Sequence, residues 1–314
     1  IFLSVDVTVD VIIVMQTVVG ILGNFSLLCH YIILYFTRYR LRSTDVILQH
    51  LTVANVLTLL SKGVPQTIAA LGWEHSPSDF GCKLIFFLHR VGRGVSMGSI
   101  CLLSVFQVIM ISPQNSRWAE LKVKAPKYIV PSMCLCWMLQ MLVNIIYPVH
   151  MYGKLNDKNI TKRQDFGYCS STIHHKAGKI LFALVLIFPD ILCLGLMLWN
   201  SGSMVFLLYR HNQQVQHIRR NNASPRSLPE SRATKTILLL VSSFVYFYTL
   251  SFTFQVTLSL VEHPSLLLVY MGIIMAAWFP AVSPFLLMSR DSTVHRLYFA
   301  WIRNAHSPAM MRTM

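Results

Sequence analysis

The chain alternates long apolar stretches with short connectors that are polar and often cationic. A helix that crosses a membrane needs about 20 mostly apolar residues, because the hydrocarbon core is about 30 Å thick and a helix rises about 1.5 Å per residue. No Lys, Arg, Asp or Glu occurs from Val11 to Thr37, which predicts the first span. Val46 to Leu71 predicts the second, interrupted by Lys62, and Leu84 to Ile111 the third, carrying Arg90 and Arg93. Tyr128 to Val149 is free of charge and predicts the fourth. Ile180 to Tyr209 holds Asp190 alone and predicts the fifth; Thr236 to Val261 and Ser265 to Ser289, both uncharged, predict the sixth and seventh. The expectation is an all-α membrane protein, with residues 1–314 forming a single bundle of seven helices.

Composition agrees. Hydrophobic residues make up 54% and charged residues 12%, against about 25% charged in an ordinary soluble domain. Too little of the chain lies outside the spans to make a soluble catalytic domain. Net charge is +15, which would suit nucleic acid if it formed one patch, but here it lies in the connectors. Counted by side, the connectors at Arg38–Arg42, Arg117–Lys127 and Arg210–Lys235, with the tail from Arg290, hold 17 Lys and Arg. The alternate connectors hold 7. Cationic loops stay in the cytoplasm, so the N-terminus is expected outside the cell and the C-terminus inside. The chain opens at Ile1, and residues can precede it in the native product. Its first run is too long for a cleavable signal and is expected to act as an uncleaved anchor. The stretch Asn221–Pro229 reads as a flexible cytoplasmic loop.

Ionisable side chains inside spans cost roughly 2.5–3.5 kcal/mol at the bilayer centre and mark functional sites by default. Arg90 lies eight residues beyond Cys82, about 12 Å along the axis, and Arg93 about 16 Å. Lys62 is seven residues from Asn55, so both are expected on one interior face. Lys62, His89, Arg90, Arg93 and Asp190 are therefore the candidates for a pocket in the outer half of the bundle. It would favour anionic or hydrogen-bond-accepting small molecules. The competing reading is an ion-pair network that only fixes helix packing. Gly92 and Gly94 leave room for a neighbouring helix.

Of the seven cysteines, only Cys82 and Cys169 fall in outer segments, where thiols meet an oxidising environment. A bond between them would strap the long outer loop to the third span; the alternative is two free thiols. Three Asn-x-Ser/Thr triplets occur, starting at Asn24, Asn159 and Asn222. Only Asn159 is placed where glycosylation operates. No catalytic constellation stands out: His174-His175 has no second ligand pair at metal spacing, and no glycine-rich phosphate loop opens a helix. No enzyme activity and no cofactor are expected.

Five stretches carry a family likeness: HLTVAN from His50 with LLSKGVPQT; LHRVGRGVSM from Leu88; SPQNSRWAELK from Ser112; SGSMVFLLYRHNQQVQHI from Ser201 with SPRSLPESRAT; and PAVSPFLLMSRD from Pro280. Together they resemble the type 1 vomeronasal (pheromone) receptors over nearly the whole chain. The resemblance implies a G-protein-coupled receptor for pheromone-like small molecules in the plasma membrane of chemosensory neurons. It also implies the Cys82–Cys169 bond and a glycan in the second outer loop. The wider rhodopsin-like class has Asp-Arg-Tyr at the inner end of its third helix, where this chain has Phe106-Gln107-Val108. Its Asn-Pro-x-x-Tyr is replaced by Ser283-Pro284-Phe285-Leu286-Leu287, and the sixth span has no proline before Pro264. The vomeronasal group shares these departures, so no activation switch is assigned. A G protein would meet Arg117 and the run after Tyr209, where Arg210, Val215, Ile218, Arg219 and Arg220 suit a helix leaving the membrane. Anionic lipid is the competing partner for these cations. The rival function is a small-solute transporter or channel, against which stands the absence of an inverted repeat.

Overall fold

A backbone in hydrocarbon must satisfy its own hydrogen bonds, and a helix does so within one segment. In a computed structural model of the chain the apolar runs are accordingly helical. The described residues are 2–36, 42–72, 78–112, 119–145, 151–153, 164–165, 169–171, 176–219, 229–261 and 265–288. Helix α1 spans Phe2–Phe36; α2 spans Ser43–Thr58 and runs through a π turn at Leu59–Gly63 into α3, Val64–Ala70. Helix α4 is Asp79–Ile111, α5 Ala119–Asn144, α6 Lys176–Arg219, α7 Pro229–Leu260 and α8 Leu266–Met288.

Among the described residues, five helices are long and apolar enough to cross a membrane: α1, α4, α6, α7 and α8. The second and fourth expected spans fall short for local reasons. The second is broken by the π turn into pieces of 16, 5 and 7 residues. Pro65, one residue into α3, causes the break, because its ring clashes with the carbonyl four residues back and it has no N–H to bond there. The fourth, α5, opens with Glu120, Lys122, Lys124 and Lys127 and closes on Gln140 and Asn144. It ends before Val149, where apolar character alone had placed the boundary. Helix α1 starts earlier than expected, and α6 runs on past Tyr209 to Arg219, as the spacing of Val215 and Ile218 anticipated.

A second difference is β structure. Strands β1 (Met151–Gly153), β2 (Gln164–Asp165) and β3 (Cys169–Ser171) form a small antiparallel sheet in the order β1-β3-β2. Cys169 is in register with Gly153, and β1 packs on α4.

Helix α4 is the centre of the bundle, packing on α2, α5, α6 and α7. It begins where the Ser78 side chain accepts from the Gly81 N–H at 3.2 Å, satisfying one of the orphan donors of a helix start. Its Val95, Ile100 and Leu103 are wholly buried against Ile47 and Leu51 of α2, Met133 of α5, Met197 of α6 and Leu240 of α7. Large apolar residues also cover the outside: Leu22, Leu142, Trp199 and Tyr246 are all more than 60% exposed. That inversion is what a lipid-facing surface requires.

Lipid tails are as apolar as leucine, so helices associate through close packing and interhelical hydrogen bonds. Gly20 of α1 lies where a Cβ would come within 3.0 Å of the Ala281 Cα. On α4, a Cβ on Gly92 would sit 2.9 Å from the Ala54 carbonyl of α2, and one on Gly98 would overlap Cys136 Sγ of α5. Hydrogen bonds repair what prolines break. Pro284 has no N–H to offer the Pro280 carbonyl one turn back, and Asn24 Nδ2 of α1 donates to that carbonyl at 2.8 Å.

Candidate small-molecule site

Two polar systems flank α4. The deeper one centres on Asn55. Its Nδ2 donates to Ser283 Oγ of α8 at 2.9 Å, and its Oδ1 accepts from Ser96 Oγ of α4 at 3.0 Å. All three side chains are buried, and the arrangement ties α2, α4 and α8 together. Asn200 of α6 donates to Ser104 of α4 at 3.1 Å, and Trp137 of α5 to His50 Nδ1 of α2 at 3.2 Å.

The second system lines a cavity of about 470 Å³ between α4, α5 and α6, within the range of about 300–1,000 Å³ that small-molecule sites occupy. Arg90, Arg93, Gly94 and Gly98 contribute from α4; Met133, Cys136, Leu139, Gln140 and Asn144 from α5; Pro189, Asp190 and Cys193 from α6. The walls are mainly apolar, with the charged groups gathered toward the Cys82 end of α4. Gly94 and Gly98 let α5 come close on this side, since a Cβ on either would overlap Gln140 or Cys136.

Each charged group is held. Arg90 Nε donates to Asn144 Oδ1 at 3.4 Å, and Asn144 Nδ2 in turn donates to the Gln140 carbonyl at 2.8 Å. The Arg93 guanidinium lies 4.5 Å from the centre of the Tyr248 ring, a cation–π contact. The Tyr248 hydroxyl donates to the Asp190 carboxylate. Tyr248 thus links Arg93 to Asp190, the one through its ring and the other through its hydroxyl. Among the described residues no ion pair joins Asp190 to Lys62 or Arg93.

Of the five residues grouped from sequence, Arg90, Arg93 and Asp190 line this cavity and Lys62 and His89 do not. Lys62 sits in the π turn. The widened turn breaks the two-turn register that put it on one stripe with Asn55. His89 points toward α2, where it hydrogen-bonds to the Thr58 backbone. Tyr248, which reaches both Arg93 and Asp190, and Gln140, Asn144, Cys101, Cys136 and Cys193 of the cavity wall went unanticipated. Cys101 and Cys193 hydrogen-bond to each other across α4 and α6.

Cys82 is buried in the first turn of α4 and disulfide-bonded; Cys29, Cys101, Cys134, Cys136 and Cys193 are free. Asn159, Arg117 and Arg220 lie outside the described residues. Arg210 closes the apolar window of α6, and Val215, Ile218 and Arg219 continue the same helix.

Comparison with known proteins accounts for this combination of lipid-facing helices and an interior cavity. Residues 7–300 match the pattern of the "Vomeronasal organ pheromone receptor family". Human "Vomeronasal type-1 receptor 4" is 58% identical over 288 residues, 92% of this chain and 96% of the relative. Human "Vomeronasal type-1 receptor 3" is 51% identical over 311 residues, covering 98% and 99%. A zebrafish (Danio rerio) protein, "Olfactory receptor class A-like protein 1", is 29% identical over 278 residues, covering 88% and 87%. With a family match along nearly its whole length and relatives above half identity, this multi-pass membrane chain belongs to the vomeronasal type 1 pheromone receptor family.

Proposed function

We propose that the chain is a seven-crossing chemosensory receptor of the plasma membrane of chemosensory neurons. It binds a pheromone-like small molecule in the cavity between α4, α5 and α6 and signals through a heterotrimeric G protein. The observation that carries this reading is the cavity itself: about 470 Å³ of mainly apolar space with Arg90 and Arg93 on one wall and Asp190 on another. A ligand with an apolar body and one anionic or hydrogen-bond-accepting group fits that distribution, its polar group bonding to guanidinium donors while the body displaces contacts with Leu139 and Met133. Little net charge is buried unpaired when such a ligand is in place.

The positive-inside bias orients the bundle with the sheet and Cys82 outside the cell. Cys169, the other cysteine of the outer segments, is the partner we propose for the disulfide-bonded Cys82. That bond would strap β3 to the head of α4 and roof the cavity. Asn159 is the glycan acceptor of the same loop. At the other end, α6 carries its helix on to Arg219, and this extension, with Arg117 and Arg220, is the surface offered to the G protein and to anionic lipid.

The test is a cell line expressing the receptor, challenged with acids, steroids and volatiles of pheromone type. The reading requires ligand-evoked cytosolic signalling that disappears with a G-protein blocker. Solute flux or current that persists under the blocker would identify a transporter or channel and overturn it.

A further inference from the structure

Neighbouring groups fix which way the Gln140 amide points in the cavity. Arg90 Nε can only donate, and it meets Asn144 at 3.4 Å, so the atom it meets is the Asn144 oxygen. The other end of Asn144 is therefore its NH2 group. That group donates to the Gln140 backbone carbonyl at 2.8 Å, which can only accept, and to the Gln140 side chain at 3.1 Å. The Gln140 atom receiving this second bond is Oε1, which leaves Nε2 at the other end of the amide, a donor of two hydrogens. Among the described residues Nε2 has no hydrogen-bond partner. Gln140 is half-buried and lines the cavity. Its amide rests on α4 at Gly94, where a Cβ would overlap it and lie 3.0 Å from Nε2.

The residue before Gly94 is Arg93, which lines the same cavity. Its guanidinium lies over the Tyr248 ring, a contact that uses no acceptor atom, and among the described residues it makes no hydrogen bond. Two helices thus bring two sets of unspent N–H donors to one end of the cavity, one charged and one neutral. Asp190, the acid of the cavity wall, accepts from Tyr248. Donors left without acceptors in an apolar space are costly. We infer that Gln140 is a specificity-determining contact of this receptor, its Nε2 donating to one oxygen of a ligand carboxylate while Arg93 donates to the other. The ligand class is a monocarboxylate on an apolar body, preferred over the alcohol or carboxamide of the same skeleton. An alcohol brings one oxygen for two sets of donors, and a carboxamide turns its own NH2 against one of them. The chain from Arg90 through Asn144 sharpens the Gln140 donor, because linked hydrogen bonds polarise one another. This inference rests on the cavity being the ligand site.

Hydrocinnamate and naphthylacetate, each beside its primary carboxamide, are titrated against purified full-length receptor in lipid nanodiscs, with binding read from the melting temperature. The wild type is expected to bind each acid about tenfold or more tighter than its amide. Gln140→Glu keeps an oxygen for Asn144, so the supporting bond survives, but it sets a carboxylate where the donor was; the preference should reverse toward the amide. Gln140→Met keeps the length without the donor and should weaken the acids about tenfold with little change in the amides. A Gln140 that only braces Asn144 and Arg90 would shift acid and amide together and show no reversal. Equal wild-type affinity for acid and amide, no saturable binding of either acid, or an unchanged acid preference in Gln140→Glu would overturn the inference. Failure of the receptor reading shows separately, as signalling that does not depend on a G protein.

Discussion

Tyr248→Phe isolates one link in the chain Arg93–Tyr248–Asp190. Phenylalanine keeps the ring on which Arg93 rests at 4.5 Å, so the cation–π contact survives nearly intact. What is lost is the hydroxyl that donates to Asp190. A hydrogen bond to a charged group contributes about 1.5–3 kcal/mol in soluble proteins, whereas double-mutant cycles within membranes average about 0.6 and reach about 1.7 kcal/mol. Asp190 is only part-buried and lines the cavity, so a loss of about 1–2 kcal/mol is expected. At roughly 2–4 °C per kcal/mol for larger domains, the melting temperature in nanodiscs should fall by about 2–8 °C. Asp190→Ala removes the same bond from the other side, so the double variant should cost about 1–2 kcal/mol less than the sum of the singles. Strict additivity of the two changes, or a Tyr248→Phe receptor that melts like the wild type, would refute a stabilising Tyr248–Asp190 bond.

Other consequences are measured in the same preparations or in cells. Arg93→Ala should abolish or retune ligand responses with surface expression retained, read by dose–response curves beside antibody labelling of intact cells; unchanged curves for both Arg90→Ala and Arg93→Ala would remove the arginines from the site. Gly98→Ala drives a methyl into Cys136 Sγ, but the next nearest atom, Cys136 Cβ, is at 3.8 Å. The single change should therefore cost about 1–3 kcal/mol as overpacking, and Cys136→Ala should restore most of it in a thermal melt. Asn55→Ala deletes both bonds that join α2 to α4 and α8 and should lower stability by about 1–2 kcal/mol, with Ser96→Ala adding little once Asn55 is gone.

Much of the bundle could be read from where charges are missing. Runs such as Val11–Thr37 and Thr236–Val261 leave the backbone one way to satisfy itself, and the helices lie there. Boundaries were less legible, because caps and polar starts such as Ser78 and Glu120 extend or trim a helix independently of its apolar content. Lys62 was recognisable as unusual but not as lying apart from the cavity: seven residues from Asn55 mean two turns only in an unbroken helix, and Pro65 breaks it. Arg90 and Arg93 were conspicuous because charge in a span is rare. Tyr248 was not, since a tyrosine in the run Phe244–Tyr248 reads as one more lipid-facing ring until its hydroxyl is seen against Asp190. Gly98 and the thiols of Cys101, Cys136 and Cys193 gave no signal at all; their meaning comes from three helices meeting, which no single stretch encodes. The short sheet around Cys169 lacks the alternation by which strands are recognised.

The central claim is the location of the ligand, and photo-crosslinking reads it directly. An activating molecule carrying a diazirine, irradiated on the expressed receptor and followed by peptide mapping, should leave adducts on Leu102, Val105, Met133 or Leu139 of the cavity wall, and excess unlabelled ligand should suppress them. Competable adducts confined to α1 or α8, with none on α4, α5 or α6, would contradict it.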